Sequence, residues 1–453
     1  MANGTDVNVR RVSLGIVSSV MEDKQFLNEV LSNTLKKYQY IDKKKRSFIS
    51  YLTKGVIERS IELDAIISTY SSTKISKLNP NIRNVLRLAI YELRYMDSVP
   101  ESATCNEYVK LSGKVAPVRL KGFVNGILRN MIRDEFSKVK LTNYEKYSLP
   151  KWLYEMLQSE YGNVDAIANA FLDNRSLTIR ANLTKCEPSK LPEILKEEGV
   201  MVEPVSSIDY AFSVKNIDYL ENLTSFKKGL FYVQDISSMM VGVKCGVKAE
   251  DIVIDVCAAP GGKSIHIAEL MAVDKNYKEN KNFDKNIDAT HDAIADELVG
   301  GTVYAFDRSK EKVKLINDNI TRTGLENVTA KVGDASKYNE SLCEKADIVI
   351  ADVPCSGIGV IGKKPDIKLR LKEEDIDKLA KLQYDILDNV KCYVKPNGTL
   401  LYSTCTVSKR ENELNVAKFL VKNKEFTLIE QNQYMPSDIQ DGFFIALLRR
   451  EAK

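Results

Sequence analysis

The sequence predicts a multidomain chain: an all-α helical bundle, a small α+β module, and a C-terminal α/β domain on a mostly parallel, doubly wound sheet. Three observations predict it. Apolar residues recur every third or fourth position from about residue 8 to 135. Short alternating runs mix with single helical stretches between about 151 and 240. From about Asp251 onward, apolar strand-like runs alternate with helical stretches, the pattern of a sheet whose ligands lie beyond the carboxyl ends of its strands. The expected domains are 1–135, 136–240 and 241–453.

In the bundle, Val12, Ile16 and Val20 fall on one helical face, as do Phe26, Val30 and Leu31, then Phe48, Leu52, Val56 and Ile57. Around residues 79–93, Asn79 is placed to cap a helix whose first position is Pro80. Its apolar stripe is Leu86, Ala89, Ile90 and Leu93, with the arginines expected to face elsewhere. Pro100 interrupts the chain, and a further helix is expected near 122–129.

Residues 136–150 read as a connector ending at Pro150, followed by a helix over Trp152 to Tyr161. The alternating run at 177–182, a helix near 191–198 ended by Gly199, and a β run at 229–234 make up the small module. The strand-like runs of the α/β domain are 252–256, 302–306, 348–351 and 398–402. Residues 274–298 break this rhythm, being rich in Asn, Asp and Lys, and read as a flexible surface insertion in which His291 has no assigned role.

Net charge is +4, but residues 1–150 hold 25 Lys and Arg against 15 Asp and Glu, while the remainder is acidic by six. A basic front half points to a polyanionic partner, with Arg83, Arg87 and Lys121 as candidate phosphate contacts. No apolar run approaches membrane-spanning length and no signal pattern opens the chain, so a soluble, cytoplasmic protein is expected, most simply a monomer. Eight cysteines lie at wide, irregular spacings, none as C-x-x-C, beside only two histidines, so no metal site is expected. The default for each cysteine is a small buried hydrophobe.

Residues 255–264, Asp-Val-Cys-Ala-Ala-Pro-Gly-Gly-Lys-Ser, follow an apolar strand and open a helix. Small residues let a ligand approach the backbone, and free N–H groups at the helix start suit an anionic group. The loop is neither a P-loop nor a dinucleotide fingerprint. Asp307 ends the next strand, where a carboxylate can take both ribose hydroxyls. Asp334 ends a third and can face an adenine amino group. Together these acids describe an adenosine site.

The segment Cys257, Ala258, Ala259, Pro260, Gly261, Gly262, Lys263 resembles the first motif of the RNA cytosine-C5 methyltransferases. Residues 352–359, Asp-Val-Pro-Cys-Ser-Gly-Ile-Gly, are similar to their fourth motif, and residues 402–406, Tyr-Ser-Thr-Cys-Thr, to their sixth. The resemblance extends to residues 364–368 and 441–444. The helical front half resembles the NusB fold, an RNA-binding bundle, and the combination is similar to the Sun/Fmu (RsmB) branch, which methylates small-subunit ribosomal RNA. The resemblance implies a Rossmann-like class I fold, S-adenosylmethionine as cofactor, and ribosomal RNA, free or in an assembly intermediate, as partner. Transfer RNA and DNA are alternative substrates, and a non-catalytic RNA-binding assembly or antitermination factor is the alternative outside enzymes.

Cytosine C5 is a poor nucleophile until a thiolate adds to C6, which requires a thiolate near neutral pH. Cys405 follows a strand, and residues 408–411, Ser-Lys-Arg-Glu, read as a capping box opening a helix. That helix start, with Lys409 and Arg410, is expected to lower the pKa of Cys405. The residues alone leave Cys355 and Cys405 as two candidate thiols; the resemblance implies that Cys405 attacks and Cys355 assists release. Asp352 is expected at the cytosine edge or beside the methionine moiety, Lys263 against base or cofactor, and Cys257 in the cofactor loop without thiol chemistry. The other five cysteines are expected to be structural.

Overall fold

A computed structural model describes residues 7–96, 99–173, 176–274 and 298–452. They form two compact units: one takes the chain to Asp173 together with Ile361–Leu371, and the other takes Asn174–Val360 and Lys372 onward. The insertion expected at 274–298, with His291, lies almost wholly outside the described residues.

The first unit is helical: α1 (Val9–Met21), α2 (Leu27–Lys37), α3 (Lys43–Glu58), α4 (Ser60–Tyr70), α5 (Pro80–Tyr95), α6 (Glu101–Val115) and α7 (Leu120–Arg133), then α8 (Asn143–Lys146), α9 (Lys151–Tyr161) and α10 (Asp165–Leu172). Helix α5 is central to the apolar core, with Val85, Leu86, Leu88, Ala89 and Ile90 all buried. Its start is as expected: the Asn79 side chain accepts from the N–H groups of Asn81 and Ile82, and Pro80 follows. The core also holds a charged centre. Glu92 is fully buried and accepts from Arg10, from the Thr104 hydroxyl at 2.8 Å and from the Tyr108 hydroxyl at 2.9 Å.

Two of the expected phosphate contacts are engaged inside the fold. Arg87 is buried and forms two hydrogen bonds to Asp64, at 2.6 and 2.7 Å, and a third to Asn84. Arg83 donates to both carboxylate oxygens of Glu22 at 2.9 Å. The Arg87 guanidinium, buried and paired, is no longer available to a phosphate, because burying an unpaired charge is costly and these partners remove that cost; Arg83 is half-buried and held by Glu22. The arginines of α5 therefore serve the bundle. Lys121 is half-buried, its stem lying over Gly113. The segment Ile361–Leu371 is part of this unit: Asp366 accepts from the Leu27 N–H, and Lys368 is buried, donating to the Glu58 carbonyl.

The second unit starts with a four-stranded antiparallel sheet in the order β2-β3-β1-β4: β1 (Leu177–Ala181), β2 (Met201–Pro204), β3 (Ala211–Lys215) and β4 (Phe231–Val233), with helices α11 (Leu191–Glu197) and α12 (Thr224–Lys227). Helix α13 (Ile236–Cys245) leads into β5 (Ile252–Asp255), α14 (Gly262–Val273), β6 (Thr302–Asp307), α15 (Lys310–Thr323), β7 (Val328–Val332), β8 (Ala346–Asp352), α16 (Glu373–Val390), β9 (Val394–Thr404), α17 (Glu413–Lys422), β10 (Phe426–Tyr434) and β11 (Phe443–Arg450). The seven-stranded sheet runs β10-β11-β9-β8-β5-β6-β7. Strands β5 to β9 are parallel, as the sequence pattern predicts, and β10 and β11 complete one edge antiparallel. Cys343 and Cys392 are joined by a disulfide, so these two are not simply buried hydrophobes.

A backbone crossing ties the carboxyl ends of this sheet together. The Gly359 N–H donates to the Cys405 carbonyl at 3.1 Å, and the Gly442 N–H donates to the Gly359 carbonyl at 2.9 Å. A Cβ on Gly359 would lie 2.0 Å from the Gly442 carbonyl oxygen. Only glycine permits this approach, which joins the loop after β8, the loop after β9 and the start of β11.

Two outcomes follow. Glu92→Ala leaves the Arg10 guanidinium and two hydroxyls without their acceptor, and is expected to cost about 3 kcal/mol, read as a lower urea midpoint. Gly359→Ala forces backbone apart at the crossing and is expected to cost about 1–3 kcal/mol by thermal unfolding. An unchanged midpoint in either variant would contradict the packing described.

Candidate active site

Three consecutive strand ends build one cavity in the second unit. Asp255 closes β5 and is fully buried; it accepts from the Ser264 hydroxyl at 2.6 Å and from the Cys257 N–H at 3.3 Å. Burial lifts its carboxyl to about 7, against the opposing pull of the Ser264 hydrogen bond. These bonds pin the loop Cys257–Lys263 between strand and helix. Within it Gly261 has φ 103°, in the left-handed region, and its N–H reaches the Ala258 carbonyl at 2.7 Å. The Ala258 N–H reaches across to the Phe306 carbonyl at 2.8 Å. The sequence marked this loop but did not single out Asp255, whose signal is its place as the last residue of an apolar strand.

Asp307 ends β6 almost fully buried, with Lys312 at 3.5 Å and the Ser309 N–H at 3.3 Å. Asp334 follows β7. The hydrogen bond from the Ser336 hydroxyl, at 2.6 Å, holds its carboxyl below the usual range. Asp307 and Asp334 line one cavity of about 310 Å3 with Cys257, Ala259, Asp352, Pro354, Cys355 and Cys405. A smaller recess, of about 90 Å3, opens beside it among Phe306, Asp334, Leu342 and Tyr393. The sequence-predicted acids, loop and thiols therefore converge on one site.

The reactive end of the cavity is an array of paired groups. Asp352 ends β8; Lys263 donates to one of its oxygens at 2.6 Å and the Ser403 hydroxyl to the other at 2.8 Å. The Lys263 ammonium also lies 5.1 Å from the centre of the Phe443 ring. Burial pulls its pKa down, but Asp352, Asp255 and Cys405 outweigh that and the net shift is upward, so Lys263 stays charged. It is a fixed cation in the wall of the site rather than a solvated lysine at a helix start.

The Cys355 and Cys405 sulfurs are 3.3 Å apart. The thiol of Cys355 is pushed well above its ordinary range, first by the hydrogen bond to the Cys405 sulfur, then by burial and by the negative charges of Cys405, Glu411 and Asp352. Cys355 therefore holds its proton at neutral pH. Burial also pushes the Cys257 thiol up, in keeping with a loop residue that has no thiol chemistry.

The helix start expected beside Cys405 lies elsewhere. Residues 408–411 do not form a capping box: α17 starts at Glu413 after Asn412, and Glu411 turns inward. Its carboxylate accepts from the Ser356 N–H at 2.8 Å, the Ser356 hydroxyl at 2.5 Å, the Gln383 amide at 2.9 Å and the Thr406 hydroxyl at 3.3 Å. Arg410 pairs outward with Asp377 and Glu373. The cation tied to Cys405 is Lys263. A local sequence pattern lost here to tertiary partners, because a buried turn offered Glu411 more donors than a helix end would.

No cluster of metal ligands occurs among the described residues. His266 is buried against Tyr210, its Nε2 3.0 Å from the phenol oxygen. No helix of the described residues is long and apolar enough to cross a membrane.

Comparison with known proteins bears on the whole chain. A family model described as 16S rRNA methyltransferase RsmB/F matches residues 290–449. The NusB family model matches 7–133, and a model of the ferredoxin-like domain of RsmF/B-like methyltransferases matches 149–217. The probable ribosomal RNA small subunit methyltransferase B of Bacillus subtilis is 29% identical, over 98% of this chain and 99% of that protein. The ribosomal RNA small subunit methyltransferase B of Escherichia coli O7:K1 is 28% identical over 97% and 98%. Among solved structures, PH0851 shares the fold over 98% of this chain and 99% of that one, with a TM-score of 0.77 at 24% identity. NSun6 from Pyrococcus horikoshii, solved with SFG, covers 67% of this chain and 99% of its own at a TM-score of 0.54 and 23% identity. Its helical unit, its ferredoxin-like sheet and the larger part of its seven-stranded sheet are each matched in order, so the chain is similar over nearly its whole length to methyltransferases of the RsmB/F type.

Proposed function

We propose that the chain transfers a methyl group from S-adenosylmethionine to C5 of a cytosine in small-subunit ribosomal RNA, through a covalent bond between Cys405 and C6. The observation that carries this reading is the pair of sulfurs 3.3 Å apart in the same cavity as Asp307 and Asp334. A binding module has no use for two thiols facing a nucleoside-sized recess.

The cavity fits the cofactor. Its volume suits a nucleoside, its acids stand at or just after successive strand ends, and Cys257 and Ala259 of the loop line it. Asp307 would take the ribose hydroxyls, Asp334 the adenine side, and loop residues 257–263 the amino-acid end. When bound, the sulfonium supplies an electrophilic methyl group. The protein's residues do the rest. Cys405 adds to C6 and moves electron density to C5, which takes up the methyl group. A base removes the C5 proton, those electrons restore the C5–C6 double bond, and the Cys405 sulfur leaves as thiolate. Lys263 balances the charge on Cys405 before attack and after release. Asp352, held by Lys263 and Ser403, presents its carboxylate to the exocyclic amine of the cytosine. Cys355, protonated and in contact with Cys405, is assigned to release.

Chemistry on a ring atom needs an unstacked base. The basic front half is suited to gripping structured RNA through phosphates, with exposed Arg11, Lys36, Lys37 and Lys44, and the half-buried Lys121, as its candidate contacts.

Cys405→Ala is expected to abolish methyl transfer with cofactor affinity retained, whereas Cys355→Ala traps a protein–RNA adduct that migrates slowly on a denaturing gel. Full activity of the first variant overturns the assignment of the attacking thiol. Asp307→Ala removes a charged hydrogen-bond acceptor and is expected to weaken cofactor binding about ten- to hundredfold, measured by calorimetry. Bisulfite sequencing of ribosomal and transfer RNA from cells with and without the gene tests the substrate. Loss of a methylated cytosine in transfer RNA rather than small-subunit RNA would overturn that part.

A further inference from the structure

We propose that Glu411 is a positioning residue for this reaction: one buried carboxylate clamps the turns carrying Cys355 and Cys405 together and decides which of the two sulfurs keeps the proton they share. The inference rests on the reading that both thiols act.

The geometry of the clamp is direct. Ser356 follows Cys355 and Thr406 follows Cys405, and their side-chain oxygens meet at 2.8 Å. Glu411 closes this bridge from behind, accepting from the backbone and hydroxyl of Ser356 and from the hydroxyl of Thr406. Gln383 of α16 donates to the same carboxylate and also to the Pro354 carbonyl, fixing the turn one residue before Cys355. The Tyr402 hydroxyl donates to the Glu411 carbonyl, which anchors the clamp to β9. Burial pushes the Glu411 carboxyl above its ordinary range, and the four donors on its two oxygens oppose that shift and favour the ionised form. Ser356, Gln383, Tyr402, Thr406 and Glu411 are buried, while Cys355 and Cys405 are half-buried and line the cavity.

The charge pattern follows. Lys263 of α14 faces the sulfurs as the cation; Asp255 of β5, Asp352 of β8, Tyr402 of β9 and Glu411 are the other ionisable groups around them. Lys263 is already neutralised by Asp352 and counts Cys405 among its stabilising anions. Glu411 disfavours a negative charge on Cys355. Its carboxylate therefore keeps the proton on Cys355 and leaves the charge on Cys405.

The first test needs neither RNA nor cofactor. Iodoacetamide alkylation of the full chain, followed by peptide mass spectrometry across a pH series, reads which sulfur is the thiolate. The unmodified chain is expected to react at Cys405. In Glu411→Gln the share of Cys355 alkylation is expected to rise about tenfold, the ratio carried by one pKa unit, and the pH profile of the pair moves down because an anion has been removed. Glu411→Asp keeps the charge and is expected to restore the Cys405 preference while slowing methyl transfer. A wild-type alkylation ratio and pH profile in Glu411→Gln overturns the proposal. Should that variant fail to fold, Ser356→Ala tests the clamp: kcat is expected to fall with cofactor affinity unchanged, and an unchanged kcat overturns it. If the alkylation ratio responds to Glu411 while Cys405→Ala stays active on RNA, the clamp stands and the cytosine chemistry falls.

Discussion

The 3.3 Å approach of the Cys355 and Cys405 sulfurs is prepared by backbone register before any side chain acts. Strands β8 and β9 run parallel with Asp352 opposite Ser403, so their carboxyl ends stop level. Each chain then has two or three residues in which to turn, and both turns meet above the sheet edge. The glycine crossing at Gly359 and Gly442 holds that meeting from the side of β11. A parallel sheet with level strand ends makes a ligand site almost unavoidable; here it also makes a thiol pair. The antiparallel edge of β10 and β11 matters for the same reason, because without β11 the turn after β9 would have no second backbone to lie against.

Much of this was legible in the sequence, and the parts that were not share a cause. The loop 257–263, Asp307, Asp334 and the two thiols sit at the ends of apolar runs, so local pattern was enough to find them. Asn79 and Pro80 marked the start of α5 because capping is a contact within four residues. Arg87 was misread because its partner Asp64 lies 23 residues earlier on another helix. From the sequence it is one of several cations in a basic half; in the fold it is a buried ion pair. Glu411 was misread for the same reason: its partners Ser356 and Gln383 lie 55 and 28 residues away. The disulfide between Cys343 and Cys392 spans 49 residues. Polar residues whose partners are distant carry no periodicity, so sequence pattern cannot see them.

The misread residues also correct the meaning of the basic surplus. Pairing Arg10, Arg83 and Arg87 with Glu92, Glu22 and Asp64 leaves the net surplus unchanged, because each pair removes one charge of either sign, but it decides which cations are left to meet a partner. Those pairs lie in the bundle and specify its packing. The exposed cations of the helical unit are what remains for a polyanion, and their number bounds how steeply binding can depend on salt.

The same distinction between charge held and charge presented governs the active site. The array sets one cation, Lys263, among three carboxyl groups, Asp352, Asp255 and Glu411; Lys263 is held by Asp352, and the carboxyl groups also accept from backbone N–H groups or hydroxyls of the surrounding strands and loops. In the proposed reaction a preorganised array of this kind does not have to rearrange when a thiolate forms, adds to a base and reforms, because the charged groups are already in place. Stability of the array and reactivity of the sulfurs are therefore not opposed. The buried anions raise the cost of a second thiolate, the single cation lowers the cost of the first, and the site can carry one negative sulfur through the cycle without ever having to carry two.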